Sequence, residues 1–507
     1  MGSRPFGLVM PGQEVSHVSS LVESRTAPHW STSLLVGGED EIGVGPDVTV
    51  FNPATEQPIV TLASASPDQV NRAVGAARRA FDHGPWPRMA AAERSRLLHR
   101  FADLVEAMHD SLTAGCVLEI GTPLSMSETL QTKGAVAALR VYADLAGRDR
   151  TEELGRHDGT VPSRGRVSLL PSGVVAVVTA YNIPLAITAR SMGGALAAGC
   201  TVVVLPSPRA PLTSLLMLRA SVAAGIPEGV INVVVGEAPV GQQLTSHPDV
   251  DKIAFTGSVR VGRSIMAQAA GRLTRLSLEL GGKAPTVLLP GVELAPIMHQ
   301  LHARYVRNAG QGCMTPGRLL VHRDQYEEFV ELSVATYARL KTGDPWERDT
   351  EVGPLIRPDH LSAVRAKVAT AVERGASVLA EGPASQLSSG WFMSPVLLGA
   401  VAADSPIAQE EIFGPVGVVV VYDDVDHAVR LANGTDYGLS ADVYAATTGE
   451  ALALAPRLRA GAVVVNGGGT PRPGVPMGGF KASGFGREGG EWGVREFLET
   501  QYIQWPA

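Results

Sequence analysis

Three short segments of this sequence carry side chains suited to chemistry. In Gly310-Gln-Gly-Cys-Met314, the glycines around Gln311 free the backbone before Cys313 to adopt unusual dihedrals and to expose the thiol. An accessible thiol near backbone dipoles suits nucleophilic attack, because the thiolate is the reactive form. The plain alternative is an inert small hydrophobe, which is how Cys116 and Cys200 read in their apolar surroundings. In Leu278-Glu-Leu-Gly-Gly-Lys283, Glu279 leads into a double glycine. This suggests a carboxylate at a strand end where backbone approaches something closely. A surface glutamate before a flexible turn fits that segment as well. Asn182, in Thr179-Ala-Tyr-Asn-Ile-Pro184, is either a turn former or an amide donor to a developing oxyanion.

Phe255-Thr-Gly-Ser258 ends a strand, with Gly257 permitting a tight turn and Ser258 placed as a helix N-cap. The free N–H groups of such a helix start suit a pyrophosphate, although a plain strand–turn–helix explains the segment alone. No G-x-G-x-x-G follows the early strands, so the usual dinucleotide fingerprint is missing. Glu410-Glu-Ile-Phe-Gly-Pro415 and the Gly-rich segment from Gly478 to Glu488 join apolar stretches, and neither names a reaction.

The elements that must position these residues follow from periodicity. Apolar spacing of three and four predicts helices from about 66 to 115, the second running from Ala92 towards Glu119. From 171, short β-branched runs (Val174–Thr179, Thr201–Leu205, Val230–Val235, Lys252–Phe255) alternate with helical segments (Ser191–Ala198, Thr213–Ala224, Val240–Ser246). A helical stretch, 297–309, leads to Cys313. Further strands are expected at Thr286–Leu289, Arg318–Val321, Val416–Tyr422 and Ala462–Asn466. Apolar strands alternating with helices predict parallel sheets covered on both faces, in two α/β domains. Residues 1–30 lack periodicity and read as a flexible extension.

The bulk numbers exclude several classes. A chain of 507 residues exceeds a single core. Its net charge of −7, without a long basic run, argues against nucleic acid as partner. Three cysteines without paired spacing argue against a disulfide framework or a zinc site, so no metal is expected and a reducing cytoplasm fits. No secretory signal is visible, and the apolar stretches are interrupted well short of the roughly 20 residues of a membrane span.

Taken together and in order, these segments resemble the NAD(P)-dependent aldehyde dehydrogenase superfamily, in its hydrolytic branch. Phe51-Asn-Pro-Ala-Thr, Gly225-Ile-Pro-Glu-Gly-Val-Ile-Asn-Val-Val and Ala432-Asn-Gly-Thr-Asp-Tyr-Gly-Leu-Ser extend the likeness from about residue 34 to the end. The resemblance implies that Cys313 is the nucleophile towards an aldehyde and that Asn182 and the Cys313 N–H hold the oxyanion. It also implies that Glu279 activates water to hydrolyse the thioester; relatives that pass the acyl group to coenzyme A usually lack that carboxylate. On the cofactor side it implies Glu411 at the nicotinamide ribose with Phe413 packed beside it, Gly257 and Ser258 at the pyrophosphate, and Tyr181 and Ser207 among the contacts.

The chain departs from the family's pattern on the adenosine side, where Leu205-Pro-Ser-Pro208 replaces Lys-Pro-Ser-Glu and removes two hydrogen-bonding side chains. His360 stands where a glutamine is common. Arg209 either attracts an adenosine 2′-phosphate or is a solvated loop residue. The reading is NAD, with NADP possible. Ser191 replaces a lysine of the proton-relay region. Arg190 stands where relatives often carry an uncharged tunnel residue; pointing inward it would suit an anionic aldehyde, and pointing at a carboxylate of the fold it would say nothing about substrate.

The resemblance implies an aldehyde dehydrogenase-like α/β fold. A Rossmann-like cofactor domain would span 31–148 and 171–279, and a catalytic domain 280–480. A small β oligomerisation element would combine a hairpin at 149–170 with a strand at 496–506, giving a homodimer or homotetramer. Two rivals remain: a cofactor-deficient paralogue acting as a binding or scaffold protein, supported by the eroded adenosine side, and a non-redox cysteine hydrolase, for which no His–Asp pair is apparent.

Overall fold

The computed structural model describes residues 25–469 and 472–507. The first 24 positions of the expected extension lie outside the described residues. Positions 25–30 are anchored rather than loose: Arg25 pairs with Asp344 and Glu347, and Trp30 packs against the main core.

Two sheets organise the chain. The first has eight strands, in the order Gly484–Phe485, Arg275–Glu279, Lys252–Thr256, Val174–Val178, Thr201–Leu205, Ile231–Val233, Leu34–Val36 and Glu39–Glu41. The strands from Arg275–Glu279 through Ile231–Val233 run parallel. Most of their residues are buried, as a sheet covered on both faces requires. Helices Pro67–Asp82, Pro184–Ala198 and Leu212–Ala223 are among its cover. The second sheet has seven strands, Ser377–Glu381, Val396–Gly399, Val416–Tyr422, Pro316–His322, Ala284–Leu288, Ser440–Tyr444 and Ala462–Val465 in spatial order. All its pairings but the first are parallel. A third, three-stranded antiparallel sheet joins Thr151–His157 and Ser163–Pro171 to the C-terminal strand Leu498–Pro506.

Several elements begin or break away from the expected positions. The helix expected from Ser191 starts at Pro184, because proline at the first helical position needs no N–H partner and arrives with a helical φ. The helix expected from Ala92 to Glu119 is two helices, Ala91–Ala107 and His109–Ile120, broken at Met108 (φ −92°, ψ 15°). The stretch expected to be helical to 309 ends at Val306, and Asn308 and Ala309 turn left-handed.

The connection between the sheets places the site. Glu279 ends a strand of the first sheet, and after four residues Ala284 begins a strand of the second. The carboxyl ends of the first sheet's strands therefore face the amino ends of the second. Asn182, Ser207 and Ser258 follow strand ends of the first sheet; Cys313 and Phe413 precede strand starts of the second. Ligands of open α/β sheets bind outside such carboxyl ends. No helix among the described residues is long and apolar enough to cross a membrane. No metal-binding group of His, Cys, Asp or Glu occurs among them either.

Candidate active site

The loop that carries Cys313 is held in a conformation few side chains tolerate. Asn308 (φ 55°), Ala309 (φ 54°) and Gly310 (φ 71°) are successive left-handed residues. Each non-glycine position of this kind costs roughly 1–2 kcal/mol. Side-chain bonds offset that cost: Thr122 Oγ1 donates to Asn308 Oδ1 at 3.0 Å, and Asn308 Nδ2 donates to the carbonyls of Asn182 (3.0 Å) and Gln311 (3.2 Å). Gln311 is the hub. Its Nε2 donates to the Asn308 carbonyl at 3.1 Å, and its Oε1 accepts from the Ile356 N–H at 3.0 Å and the Tyr181 hydroxyl at 3.2 Å.

Cys313 emerges from this braced loop half-buried and free, whereas Cys116 and Cys200 are fully buried. Burial and then the nearby Glu279 charge push its thiol up to about 12, opposed by Arg190 and the Met314 N–H. The resting thiol therefore keeps its proton. Its own N–H has no acceptor among the described residues. The buried Asn182 amide donates one hydrogen bond, to the Gln311 carbonyl at 3.0 Å, and keeps its second N–H free. Two spare donors thus flank the thiol, one on its own loop and one on the Asn182 segment bonded to that loop, which is what a forming oxyanion needs.

Glu279 is 5% exposed, and neither of its carboxylate oxygens has a hydrogen-bond partner. Burial first, then the charge of Glu488, raise its carboxyl well above the ordinary range; Arg190 and Arg487 pull the other way. A buried carboxyl left without donors holds its proton to higher pH than a solvated one and is a strong proton acceptor once ionised. Glu488 is held from helix Pro184–Ala198: Ser191 Oγ donates to its Oε1, and Arg190 Nε lies 3.5 Å from its Oε2. Sequence reasoning missed Glu488 as a participant, quoting it only as the end of a Gly-rich segment. Nothing local distinguishes it, because its partners are about three hundred positions away. Arg190 is thus paired with a carboxylate of the chain, while its charge is also felt at Cys313 and Glu279.

Of the expected cofactor residues, Glu411, Phe413, Tyr181 and Gly257 are joined by contacts to the Cys313 loop or the Glu279 segment. Glu411 Oε1 accepts from the Gly282 N–H at 3.0 Å. A Cβ at Gly281 would meet Glu411 Oε2 at 2.4 Å, so glycine is needed for that carboxylate to approach. Burial raises the Glu411 carboxyl, against the Gly282 N–H and Lys283. Phe413, itself at φ 59°, meets the Tyr181 ring edge-on at 6.0 Å. Ser258 caps helix Val259–Ala270 by accepting from the Val261 N–H at 3.4 Å, and the Gly257 N–H donates to the Glu279 carbonyl at 3.0 Å. This turn therefore lies one bond from the strand that carries the candidate base. Ser207 uses its hydroxyl locally, accepting from the Arg209 N–H at 3.4 Å. A capped helix start, a carboxylate beside a double glycine and an aromatic wall fit a nicotinamide dinucleotide.

Comparison with known proteins agrees with this geometry. The aldehyde dehydrogenase family model matches residues 43–503. The chain is 37% identical to the mitochondrial aldehyde dehydrogenase of Equus caballus over 460 residues, 89% of this chain and 90% of that one. It is 34% identical over 463 residues to succinate-semialdehyde dehydrogenase [NADP(+)] 2 of Schizosaccharomyces pombe, 90% of this chain and 92% of that one. Its fold superposes with a TM-score of 0.90 on the aldehyde dehydrogenase of Mycobacterium tuberculosis complexed with NAD+, at 34% identity, covering 94% of this chain and 98% of that one. A thiol with spare oxyanion donors, set on this fold and matched over nearly its whole length, places the chain in the aldehyde dehydrogenase family.

Proposed function

We propose that this enzyme oxidises an aldehyde to its carboxylic acid with NAD, using Cys313 as nucleophile and Glu279 as base. The observation that carries the reading is the half-buried Cys313 with two spare donors, its own N–H and the second N–H of Asn182, close enough to Glu279 to feel its charge. Sγ attacks the carbonyl carbon as the thiol proton passes to the ionised Glu279 carboxylate and on to solvent, and the two donors hold the oxygen as it becomes negative. The bound dinucleotide supplies a hydride acceptor at the nicotinamide ring. The acyl group is left as a thioester on Cys313. Glu279 takes a proton from water, which adds to the thioester carbonyl, and sulfur departs with the acid released.

Glu411, Phe413, Tyr181, Gly257, Ser258 and Ser207 are the residues proposed to hold the cofactor. Leu205 and Pro208 offer no side-chain hydrogen bond to an adenine ribose, which lowers affinity without removing the phosphate and nicotinamide contacts. The three-stranded sheet leaves Leu154, Leu170, Tyr502 and Trp505 exposed and both outer strands unpaired. A second copy covering this edge makes the protein a homo-oligomer. Unpaired cysteines fit a reducing, cytoplasmic setting.

The test is reduced-cofactor absorbance with aliphatic, aromatic and semialdehyde substrates, run with NAD and with NADP. Turnover that disappears in Cys313→Ala supports the reading. Folded protein with a titratable Cys313 thiol that neither binds dinucleotide nor turns over any aldehyde in the panel would favour the cofactor-deficient paralogue.

A further inference from the structure

Arg209 follows the segment in which Leu205 and Pro208 offer no polar side chain. Its guanidinium carbon lies 5.5 Å from the centroid of the Tyr181 ring. It forms no ion pair with a carboxylate among the described residues, although its charge is felt by Tyr181 and by His360. A guanidinium held over an aromatic ring and reaching its hydroxyl with one arm has its planar fork oriented in advance, with the remaining N–H groups still to be used.

The position of that fork identifies the anion it can meet. The Tyr181 hydroxyl donates to Gln311, two residues before the nucleophile, and its ring meets Phe413 at 6.0 Å. Phe413 in turn packs 6.2 Å from His360, whose Nε2 donates to the Phe413 carbonyl at 2.7 Å. Arg209 therefore belongs to the aromatic cluster between the Cys313 loop and the Glu411–Phe413 loop, on the half of the cleft where the nicotinamide must lie. An adenosine 2′-phosphate sits at the opposite end of the dinucleotide, with both riboses and the pyrophosphate between. The anion within reach of this cluster is the pyrophosphate. His360 cannot serve it as a cation, since burial lowers its pKa and its Nε2 hydrogen is already committed.

We propose that Arg209, stacked on Tyr181, binds the cofactor pyrophosphate. In this role it makes up for the apolar side chains of Leu205 and Pro208 without selecting between NAD and NADP. The proposal rests on the dehydrogenase reading and adds a cofactor-binding residue to it.

Equilibrium calorimetry of the wild type, Arg209→Ala and Arg209→Lys with NAD, NADP, ADP-ribose and adenosine 2′-monophosphate tests this without turnover. Losing a charge-assisted bond to phosphate weakens NAD, NADP and ADP-ribose by a common factor of about ten. Adenosine 2′-monophosphate is unaffected, and Arg209→Lys recovers part of the loss. An unchanged melting temperature and Cys313 alkylation rate establish that the variants are folded. A loss confined to NADP and adenosine 2′-monophosphate assigns Arg209 to the 2′-phosphate and overturns the proposal, as does equal binding of all four ligands by wild type and variants. A wild-type protein that binds none of the dinucleotides overturns the dehydrogenase reading itself, and this proposal with it.

Discussion

Arg190 Nε lies 3.5 Å from Glu488 Oε2, so the cation on helix Pro184–Ala198 is matched to the second buried carboxylate of the site rather than to Glu279. The Glu279 carboxylate is left with no hydrogen bond among the described residues and with Glu488, Glu496, Arg190 and Arg487 as its charged surroundings. Glu488 favours the protonated form of Glu279, and Arg190 favours the ionised form. The base must be ionised to activate water, so hydrolysis of the thioester falls off as pH drops through a raised value. Glu488→Gln moves that acid limb to lower pH, and Arg190→Gln moves it to higher pH. The pH profile of turnover under conditions where hydrolysis limits the rate checks both. Limbs that coincide with the wild type would remove the pair from control of Glu279.

Glu279 also predicts a trade between stability and activity. Its folded pKa is raised above the unfolded value, so its contribution is most favourable below the unfolded pKa and is lost as pH rises through the folded one. At pH 8, above the unfolded value, keeping this carboxyl buried is a net cost in either protonation state. Glu279→Gln is therefore expected to melt above the wild type at pH 8 and close to it at pH 4. The same variant should slow turnover by roughly 10²–10⁴-fold, the usual contribution of a general base, after a burst of reduced cofactor. Melting curves at the two pH values and rapid-mixing absorbance give the two readouts. A variant that is less stable at pH 8 would contradict the electrostatic account.

Asn182 makes the oxyanion donors testable separately from the nucleophile. Asn182→Ala removes the amide that donates to the Gln311 carbonyl and whose other N–H is proposed to hold the oxyanion. Loss of one such donor lowers kcat by about 10²–10³-fold. Cys313 should remain open to alkylation, because Asn308 still holds the loop through Gln311. Wild-type kcat in this variant would exclude the amide from the oxyanion site.

Much of this arrangement is legible in the sequence, and for a physical reason. Glycine must accompany a backbone that bends sharply or lets a side chain approach, so Gly281 and Gly310 mark Glu279 and Cys313 in the sequence. Asn308 and Ala309 adopt equally unusual dihedrals without that marker; only the bonds from Thr122, Asn182 and Gln311, far apart along the chain, make them tolerable. Glu488 is hidden likewise, since its role exists only once Arg190 and Ser191 are folded against it. Ser207 is the converse case. The resemblance alone names it as a cofactor contact, and in the fold its hydroxyl also closes its own turn.

The nucleophile loop and the cofactor loop meet at Gly310. Its φ is 71°, and a Cβ added there would lie 2.0 Å from the Gly414 carbonyl oxygen and 2.8 Å from the Pro415 nitrogen, both backbone atoms with little room to move. Gly310→Ala therefore combines left-handed strain with a clash, and a loss of about 2–4 kcal/mol is expected. Relief requires the Cys313 loop to part from the segment carrying Glu411 and Phe413. Both affinity for NAD and kcat should fall, even at temperatures where the variant remains folded. Gly291→Ala is the control: its φ of 84° imposes comparable backbone strain, but no heavy atom lies within 4 Å of the added Cβ. Denaturant melts and NAD titrations on the two variants separate contact from strain. If Gly291→Ala proves as damaging as Gly310→Ala to NAD binding, packing between the two loops is not what positions the nucleophile.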